Sequence, residues 1–344
     1  MAALQYLCDF RHTRMGMLGA SRQPLQGCCL QGRVAVVTGG TAGIGLAAAQ
    51  LFAGAGAEVH VTGRDAGRGE AAVASSSKSP GKIVFHQLDM STLAAARTFE
   101  GIVRRELRGR KLDILVQNLA CMPDRFELVA DGQERTVSCN LLVFYHIGTS
   151  LMPLMTPVSG RVVNVVSAGM SLHRLSVQHL RALSDPSGGD HFDPIYAYCL
   201  THRARVLLTQ RWAAEFPALF LASCHPGWVE TPGIQNAEAM AGFYSLMRST
   251  LRTPSQGADS IAWLVAPSAE DGSDGDGSAG DGSVVGDRPK TTPGGISSGS
   301  YTWNRAARRV DHLFAGTRAS EKSIDELISF CIEQTQAATS QAAI

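Results

Sequence analysis

The chain has 344 residues, of which 44% are hydrophobic and 18% are charged, so it is long and apolar enough to bury a sizeable core. This composition excludes a protein that is disordered along its whole length. The 31 basic and 30 acidic residues give a net charge of +1, so the overall charge favours neither nucleic acid nor an anionic membrane surface as a partner.

The first 30 residues lack a regular apolar pattern and carry Arg11, Arg14 and Arg22 against a single acid, Asp9. We expect residues 1–30 to form a poorly ordered arm, with a mitochondrial presequence as the alternative. The eight cysteines show no CxxC spacing, which favours reduced thiols in the cytoplasm over a disulfide framework or a metal site. No apolar run of about 18 residues occurs, so no transmembrane segment is expected.

Strand-like and helix-like segments then alternate along the chain. Short runs rich in β-branched residues predict strands at 33–37, 57–62, 82–87, 113–117, 161–166 and 219–224. Helical patterns lie between these runs, among them a long helix over about 131–155 and the stretch "AYCLTHRARVLL" (197–208). Such alternation predicts a Rossmann-type α/β fold, a doubly wound parallel sheet forming a single domain over 31–268.

The pattern changes towards the carboxyl terminus. Residues 269–300 are rich in Gly, Ser and Asp, which predicts a flexible surface insertion; they do not fit the template of a calcium-binding loop. After the insertion, "SYTW" predicts a last strand and "SEKSIDELISFCIEQ" an amphipathic helix capped by Ser320 or Ser323. We expect residues 301–340 to complete the domain.

A glycine-rich turn, "TGGTAGIG" (38–45), joins the first predicted strand to the first predicted helix. Gly39, Gly43 and Gly45 allow the backbone to turn sharply and to approach a pyrophosphate at the amino terminus of the helix. The turn therefore predicts a dinucleotide site, and a tight structural turn is the alternative.

The end of the second predicted strand bears on the choice of cofactor. An NAD-selective fold places a carboxylate there, whereas this chain has Gly63 followed by Arg64. A guanidinium suits a 2′-phosphate, so NADP(H) is preferred over NAD(H). The adjacent Asp65 leaves an alternative open, because its carboxylate could pair with Arg64 or contact a ribose.

Together with Asp89, Asn140, Ser167, Tyr198 and "PGWVET" (226–231), this turn resembles the short-chain dehydrogenase/reductase family over about 32–265 and again over 298–335. More narrowly, "GRVAVVTGG", "ACM", "HPGWVETPG" and "LLTQRWA" resemble the dehydrogenase/reductase SDR family member 12 group, which is similar to the retinol dehydrogenase-like branch.

The resemblance implies hydride transfer between nicotinamide and a small, lipophilic carbonyl or alcohol. It implies that Ser167 binds the reacting oxygen, that Tyr198 is the general acid/base, and that Asn140 supports a proton-relay water. A homo-oligomer is also compatible with the family. The full set of expected cofactor-binding residues is Thr38, Gly39, Thr41, Gly43, Ile44, Gly45, Arg64, Asp89, Asn118, Tyr198, His202, Pro226, Gly227 and Thr231.

Two departures from the family pattern put turnover in doubt. Leu119-Ala120 replaces the family's Ala-Gly after the fourth strand, which adds bulk near the cofactor. His202 stands where the family has a lysine that binds the nicotinamide ribose and lowers the pKa of the tyrosine. Arg205 lies seven positions beyond Tyr198, close to the same helix face but about one turn further along than His202, so it is not an obvious substitute. The alternative to an active enzyme is therefore a catalytically impaired cofactor-binding protein that acts as a scaffold or redox sensor.

Overall fold

The computed structural model of the protein describes residues 12–14, 25, 28–185, 192–266, 295–311 and 317–341. Within these residues eight strands form one sheet: β1 Val34–Val37, β2 Glu58–Gly63, β3 Lys82–Gln87, β4 Ile114–Gln117, β5 Arg161–Val165, β6 Phe220–His225, β7 Ser300–Trp303 and β8 Ala306–Arg308. The strand order is β3-β2-β1-β4-β5-β6-β7-β8; the first seven strands are parallel and β8 is antiparallel to β7.

Helices cover both faces of this sheet. They are α1 Gly43–Gly54, α2 Ala66–Ser75, α3 Leu93–Leu107, α4 Arg135–Leu154, α5 Val177–Leu183, α6 Pro194–Glu215, α7 Pro232–Asn236, α8 Ala241–Met247, α9 Pro254–Val265 and α10 Glu321–Gln341. Near its start, α4 contains a π-helical turn over Ser138–Leu142.

The sheet separates two buried cores because successive strand side chains point to opposite faces. In β1, Val34 and Val36 pack with α3, α4 and α6, whereas Ala35 and Val37 pack with α1 and α9. All four residues of β1 are buried, as expected for a central parallel strand that is covered on both faces.

The predicted fold class is confirmed, and the six strands predicted from β-branched runs lie within one residue of their expected bounds. The predicted last strand is β7. The hairpin that joins it to β8 was not predicted. Its turn residues Asn304 and Arg305 both have positive φ, 52° and 56°, without the glycine that usually marks such a turn.

The end of the predicted insertion lies against the sheet. Residues 267–294 lie outside the described residues. Ile296 is buried, and the Ser298 hydroxyl accepts a hydrogen bond of 3.1 Å from the backbone N–H of Leu221. The chain is therefore packed on the domain shortly before β7 begins, and the predicted range of 269–300 for the insertion stays a prediction.

Three residues of the expected arm are docked on the domain. The buried ring of His12 stacks on Trp303 with ring centroids 3.8 Å apart and planes 4° apart. The His12 carbonyl accepts a hydrogen bond of 2.8 Å from the N–H of Trp228, and the N–H of Arg14 donates to the Thr250 carbonyl. Residues 12–14 therefore contact the domain, with the imidazole of His12 stacked on Trp228 and Trp303; the poor order expected for residues 1–30 stays a prediction.

Among the described residues, α4 is long and apolar enough by composition to cross a membrane. Its mean hydropathy is 1.3, but 72% of this apolar stretch is buried inside the domain. The central helix of a folded core needs the same apolar surface, so packing within this domain accounts for the hydropathy.

Candidate active site

The predicted site residues converge on one edge of the sheet. The loops that follow β1, β4, β5 and β6 all leave from the carboxyl ends of these parallel strands. From β1 the strands β2 and β3 continue the sheet on one side, whereas β4 and the strands after it continue the sheet on the other side. In open α/β sheets, ligands bind in the crevice at such a switch point.

The turn between β1 and α1 is closely packed against the loop after β4. Gly39 and Gly43 have positive φ values of 66° and 54°, which glycine adopts without strain. The Thr38 hydroxyl accepts hydrogen bonds of 3.1 Å from the N–H groups of Asn118 and Leu119. The Asn118 side chain donates in return to the carbonyls of Thr38 and Gly39. These bonds hold the glycine turn open at the switch point.

The amino terminus of α1 lacks a side-chain cap. Ala42 occupies the cap position, and the first turn contains no acidic residue. Most other helices have a side-chain acceptor at this place: Asp65 for α2, Thr92 for α3, Glu134 for α4, Ser176 for α5, Asp193 for α6, Thr231 for α7, Thr253 for α9 and Ser320 for α10. The N–H groups of α1 are therefore left for an external acceptor, and the helix dipole favours an anion.

The end of β2 excludes a side chain at Gly63. A Cβ atom there would lie 2.3 Å from the Thr41 hydroxyl, so Thr41 fills the place of a carboxylate. Asp65 accepts a hydrogen bond of 2.8 Å from the Arg68 N–H and pairs with the Arg68 guanidinium. The side chain of Arg64 is exposed and forms no ion pair within the described part of the chain. The alternative pairing of Asp65 with Arg64 is thus not the arrangement observed.

The remaining cofactor candidates surround the glycine turn. Asp89 is exposed at the end of β3, and its carboxylate accepts from the Ser91 N–H at 3.1 Å. Thr231 caps α7, and its methyl group would lie 3.3 Å from a Cβ at Gly43. Ile44, on the first turn of α1, packs towards Gly257 of α9. Asp89 and Thr231 thus lie on loops at the same edge of the sheet as the glycine turn, whereas Ile44 packs between α1 and α9.

Pro226 and Gly227 are held by an arginine that the sequence did not reveal. The buried guanidinium of Arg252 donates to the Pro226 carbonyl at 2.9 Å and to the Asn304 side chain at 2.6 Å. Gly227 has a φ of 86°, and a Cβ there would lie 2.5 Å from this guanidinium. Arg252 thereby fixes the turn after β6; its distance of 26 residues from Pro226 gave no sequence signal.

Ser167, Tyr198 and His202 come together where β5 ends beside α6. The rings of Tyr198 and His202 have centroids 4.2 Å apart. The N–H of Ser167 donates to His202 Nδ1 at 3.1 Å, and the Ser167 hydroxyl accepts from the Gly169 N–H at 3.2 Å. The Gly169 N–H occupies a lone pair of the Ser167 oxygen, so the hydroxyl proton can be donated to another group.

His202 is a neutral imidazole in this environment. Burial, followed by the positive charge of Arg205 and the neighbouring His225, lowers the pKa of His202 well below its usual value. Because Nδ1 accepts the Ser167 N–H, the proton of the neutral ring is on Nε2. Nε2 is buried and has no hydrogen-bond partner among the described residues. His202 therefore supplies a hydrogen-bond donor rather than the charge of a lysine.

Tyr198 keeps its proton at neutral pH in the protein without cofactor. Burial raises the pKa of Tyr198 to about 12, whereas the positive charge of Arg205 and a hydrogen bond with Ser167 act in the opposite direction. Burial is the largest of these effects. Tyr198 is therefore in the protonation state of a general acid.

Asn140 lies inside the π-helical turn of α4. Its side chain accepts from the N–H of Cys121 and donates to the Cys121 carbonyl, both at 2.8 Å. Its main-chain carbonyl accepts a hydrogen bond from Arg205 Nε. These contacts give Asn140 a role in holding the loop after β4, and its support of a relay water stays a prediction.

Leu119 lies directly against the glycine turn. A Cβ atom on Gly39 would lie 3.4 Å from a methyl carbon of Leu119, so the leucine fills space beside this glycine. The geometry agrees with the expectation that Leu119 narrows the cofactor crevice.

The sheet, the switch point and the glycine turn define a Rossmann-type dinucleotide-binding protein. The model of the family described as short chain dehydrogenase matches residues 33–177. Dehydrogenase/reductase SDR family member 12 of Homo sapiens is 36% identical over 243 residues, covering 70% of this chain and 74% of that protein. The chain belongs to the short-chain dehydrogenase/reductase family.

Other similarities agree with this assignment. Carbonyl reductase (NADPH) 1 of Macaca fascicularis is 32% identical over 271 residues, which cover 67% of this chain and 90% of that protein. The solved structure of a short-chain dehydrogenase/reductase from Serratia marcescens BCRC 10948 matches with a TM-score of 0.54 and 25% identity, over 69% of this chain and 92% of its own. The predicted family and the broad class of oxidoreductase are confirmed.

The glycine turn can be tested with two substitutions in α1. A Cβ atom at Gly45 would lie 2.4 Å from the Gly39 carbonyl oxygen and 2.5 Å from Asn118 Nδ2, whereas at Gly54 it would meet nothing within 4 Å. We expect Gly45→Ala to destabilise the protein by about 1–3 kcal/mol and to weaken NADPH binding. Gly54→Ala should stabilise by up to about 1 kcal/mol and leave binding unchanged. Urea unfolding and fluorescence titration measure both effects; equal behaviour of the two variants would contradict the packing described.

The neutral state of His202 predicts a pH dependence of stability. The unfolded chain has a histidine pKa of about 6.5, whereas the folded pKa is lower, so the unfolded state binds more protons below that pH. Stability due to His202 is therefore present above about pH 6.5 and is lost as the pH falls towards the folded pKa. In His202→Asn, whose side-chain oxygen can accept the Ser167 N–H, the loss on going from pH 6.5 to 5.5 should be smaller by about 1 kcal/mol. Chemical denaturation at each pH would refute this if both proteins showed the same slope.

Proposed function

We propose that the protein is an NADP(H)-dependent oxidoreductase that transfers hydride between nicotinamide and a lipophilic carbonyl or alcohol. The observation that carries this proposal is the meeting of the Ser167 and Tyr198 hydroxyls at the switch point, beside an uncapped helix amino terminus. Two hydroxyls are sufficient to bind and protonate a carbonyl oxygen, and a hydride donor is the remaining requirement.

The residues present fit a nicotinamide dinucleotide. The uncapped N–H groups of α1 suit a pyrophosphate. Gly39 and Gly45 have close neighbours where a Cβ atom would lie, so the turn before α1 is bare backbone that a pyrophosphate can approach. The buried Nε2–H of His202 has no acceptor among the described residues, and a ribose hydroxyl would supply one. Pro226, Gly227 and Thr231 would wall the nicotinamide side of the same crevice.

In the proposed reaction the bound nicotinamide supplies or accepts the hydride. The Ser167 hydroxyl donates a hydrogen bond to the substrate oxygen, and Tyr198 donates its proton to the same oxygen. Because the pKa of Tyr198 is raised to about 12, the hydroxyl is protonated at neutral pH and has a proton to donate. His202 keeps Ser167 in place through its Nδ1 atom. The alternative is a cofactor-binding scaffold or redox sensor. The raised pKa of Tyr198 also supports this alternative, because it slows proton abstraction from an alcohol.

Two features support NADP(H) over NAD(H). Thr41 occupies the space of a ribose-binding carboxylate at Gly63, and the exposed guanidinium of Arg64 lies one residue further along. Asp65 is engaged with Arg68 and does not neutralise Arg64. The name of the related carbonyl reductase of Macaca fascicularis also specifies NADPH.

The segment after Thr231 supports an apolar substrate. α8 carries Phe243, which packs edge-on against Trp228 with ring centroids 5.0 Å apart, and Leu246, which is 79% exposed. An exposed leucine on the same short helix as this aromatic contact is suited to bind a lipophilic molecule.

The proton-transfer role can be tested with Tyr198→Phe, which keeps the ring and removes the hydroxyl. We expect the parent to oxidise NADPH with members of a panel of lipophilic aldehydes and ketones, and the variant to lose about 10²–10⁴-fold in kcat. NADPH binding, followed by fluorescence, should change by less than about threefold, because the lost hydroxyl acts on the substrate oxygen. Equal rates would refute the role of Tyr198, and a parent that binds NADPH without turnover on any carbonyl would favour the scaffold.

Cofactor preference can be tested with Arg64→Ala against Arg105→Ala. Loss of a charge-assisted hydrogen bond to the 2′-phosphate should weaken NADPH binding about ten- to a hundredfold and leave NADH binding nearly unchanged. Arg105, an exposed arginine in the last turn of α3 that pairs with Glu106, is the matched control and should leave the preference as in the parent. Calorimetric titration with both cofactors measures this; a preference unaffected by Arg64→Ala would contradict the assignment.

A further inference from the structure

Arg205 is a buried cation at the centre of the site. Its side chain is 1% exposed, and it donates from Nε to the Asn140 carbonyl, from Nη1 to the Val165 carbonyl at 3.2 Å and from Nη2 to the Leu119 carbonyl at 2.6 Å. The guanidinium carbon also lies 4.8 Å from the centroid of the Phe144 ring. All these partners are uncharged, so they orient the guanidinium without cancelling its charge.

Helix geometry explains how Arg205 reaches the site. Arg205 lies seven positions after Tyr198, and this spacing corresponds to about 10 Å along the helix axis. Side chains on a helix lean towards its amino terminus, so the long arginine side chain extends back in the direction of Tyr198. Its acceptors belong to the loop after β4, the end of β5 and the π-helical turn of α4. These three segments border the crevice.

A second buried arginine on α6 shows the contrast. Arg203 is also fully buried, but its guanidinium pairs with the Asp311 carboxylate at 2.6 Å and donates to the Val310 carbonyl at 2.7 Å. The charge of Arg203 is therefore neutralised by its partner. Within the described residues Arg205 has no such carboxylate. Since a buried cation without a counter-ion is costly, the site is predisposed to hold an anion beside it.

We propose that Arg205 is a positioning residue that supplies, through Tyr198, the positive charge that the family's lysine would supply from the position of His202. This inference rests on the proposed function, because it assigns the charge that eases proton transfer at Tyr198. In this arrangement the two duties of the lysine are divided. Arg205 stabilises the tyrosinate, and His202 donates a hydrogen bond from a neutral ring.

The groups facing Tyr198 and Arg205 support this division. Tyr198 faces Ser167 at the end of β5, Cys121 in the loop after β4, and Cys199, His202 and Arg205 on its own helix. Arg205 is the permanent cation of this set, and it lowers the pKa of Tyr198 against the effect of burial. From α4, Cys139 faces Arg205, and from β6, His225 faces His202. The Cys121 thiol and the His225 ring are neutral at physiological pH, because a hydrogen bond with Cys139, followed by burial, raises the pKa of Cys121, and burial lowers the pKa of His225.

The test reads the ionisation of residue 198 directly, without need of turnover. 3,5-Difluorotyrosine, an intrinsically more acidic phenol, is incorporated at position 198 so that its titration falls within the pH range where the protein is folded. The absorbance of its phenolate is then followed in the whole protein without cofactor, while circular dichroism checks the fold at each pH.

Arg205→Gln should raise the midpoint by about one to three units, because an adjacent opposite charge is removed. Arg203→Gln, which removes a buried arginine from the same helix, should leave the midpoint within about 0.3 units. The double variant Arg205→Gln/His202→Lys returns a charge to the site and should bring the midpoint back towards the parent value. A purely structural role of Arg205 would give no such rescue, since a lysine at 202 cannot restore the three carbonyl contacts.

Equal midpoints for Arg205→Gln and the parent would overturn the proposal. If Arg205→Gln does not fold, Arg205→Lys decides: a midpoint within about half a unit of the parent supports the charge, and a rise of one unit or more overturns it. A protein that shows the predicted shifts but turns over no carbonyl would keep this inference and refute the proposed function. Conversely, turnover with unshifted midpoints would keep the function and refute the role of Arg205.

Discussion

The guanidinium of Arg205 donates hydrogen bonds to main-chain oxygens of Asn140, Val165 and Leu119, which belong to three different segments of the chain. These segments are the π-helical turn of α4, the end of β5 and the loop after β4. Ser167 follows Val165 by two residues, and Asn118 precedes Leu119. The distances between the glycine turn, the serine and the tyrosine therefore depend on one buried side chain.

This arrangement explains how a histidine is accommodated in a position where the family has a lysine. A protonated imidazole at 202 would lie in a buried site close to Arg205, and the repulsion together with burial keeps the ring neutral. The neutral ring retains two useful atoms. Nδ1 accepts the Ser167 N–H, and Nε2 carries a proton for which the described part of the chain offers no acceptor.

Local signals in the sequence were sufficient for most of the fold. The β-branched runs predicted six strands, and the glycine turn with its neighbours indicated the crevice, because strand alternation and backbone freedom are properties of short segments. The roles of Arg205, Arg252 and His12 depend on contacts between distant parts of the chain. The spacing of seven residues puts Arg205 about 10 Å from Tyr198 along the helix axis, and only the lean of its long side chain towards the amino terminus brings the guanidinium to the site. The cytoplasmic location and assembly with a second copy stay predictions.

The central claim is that His202 is neutral and that the cation of the site lies elsewhere. Nuclear magnetic resonance of protein labelled with ¹⁵N-histidine reports the protonation of each ring nitrogen, and the spectrum of His202→Asn assigns the signals of His202. The account predicts an unprotonated Nδ1 and a protonated Nε2 at neutral pH, since burial lowers the pKa of His202 well below its ordinary value. A doubly protonated ring at pH 7 would contradict it.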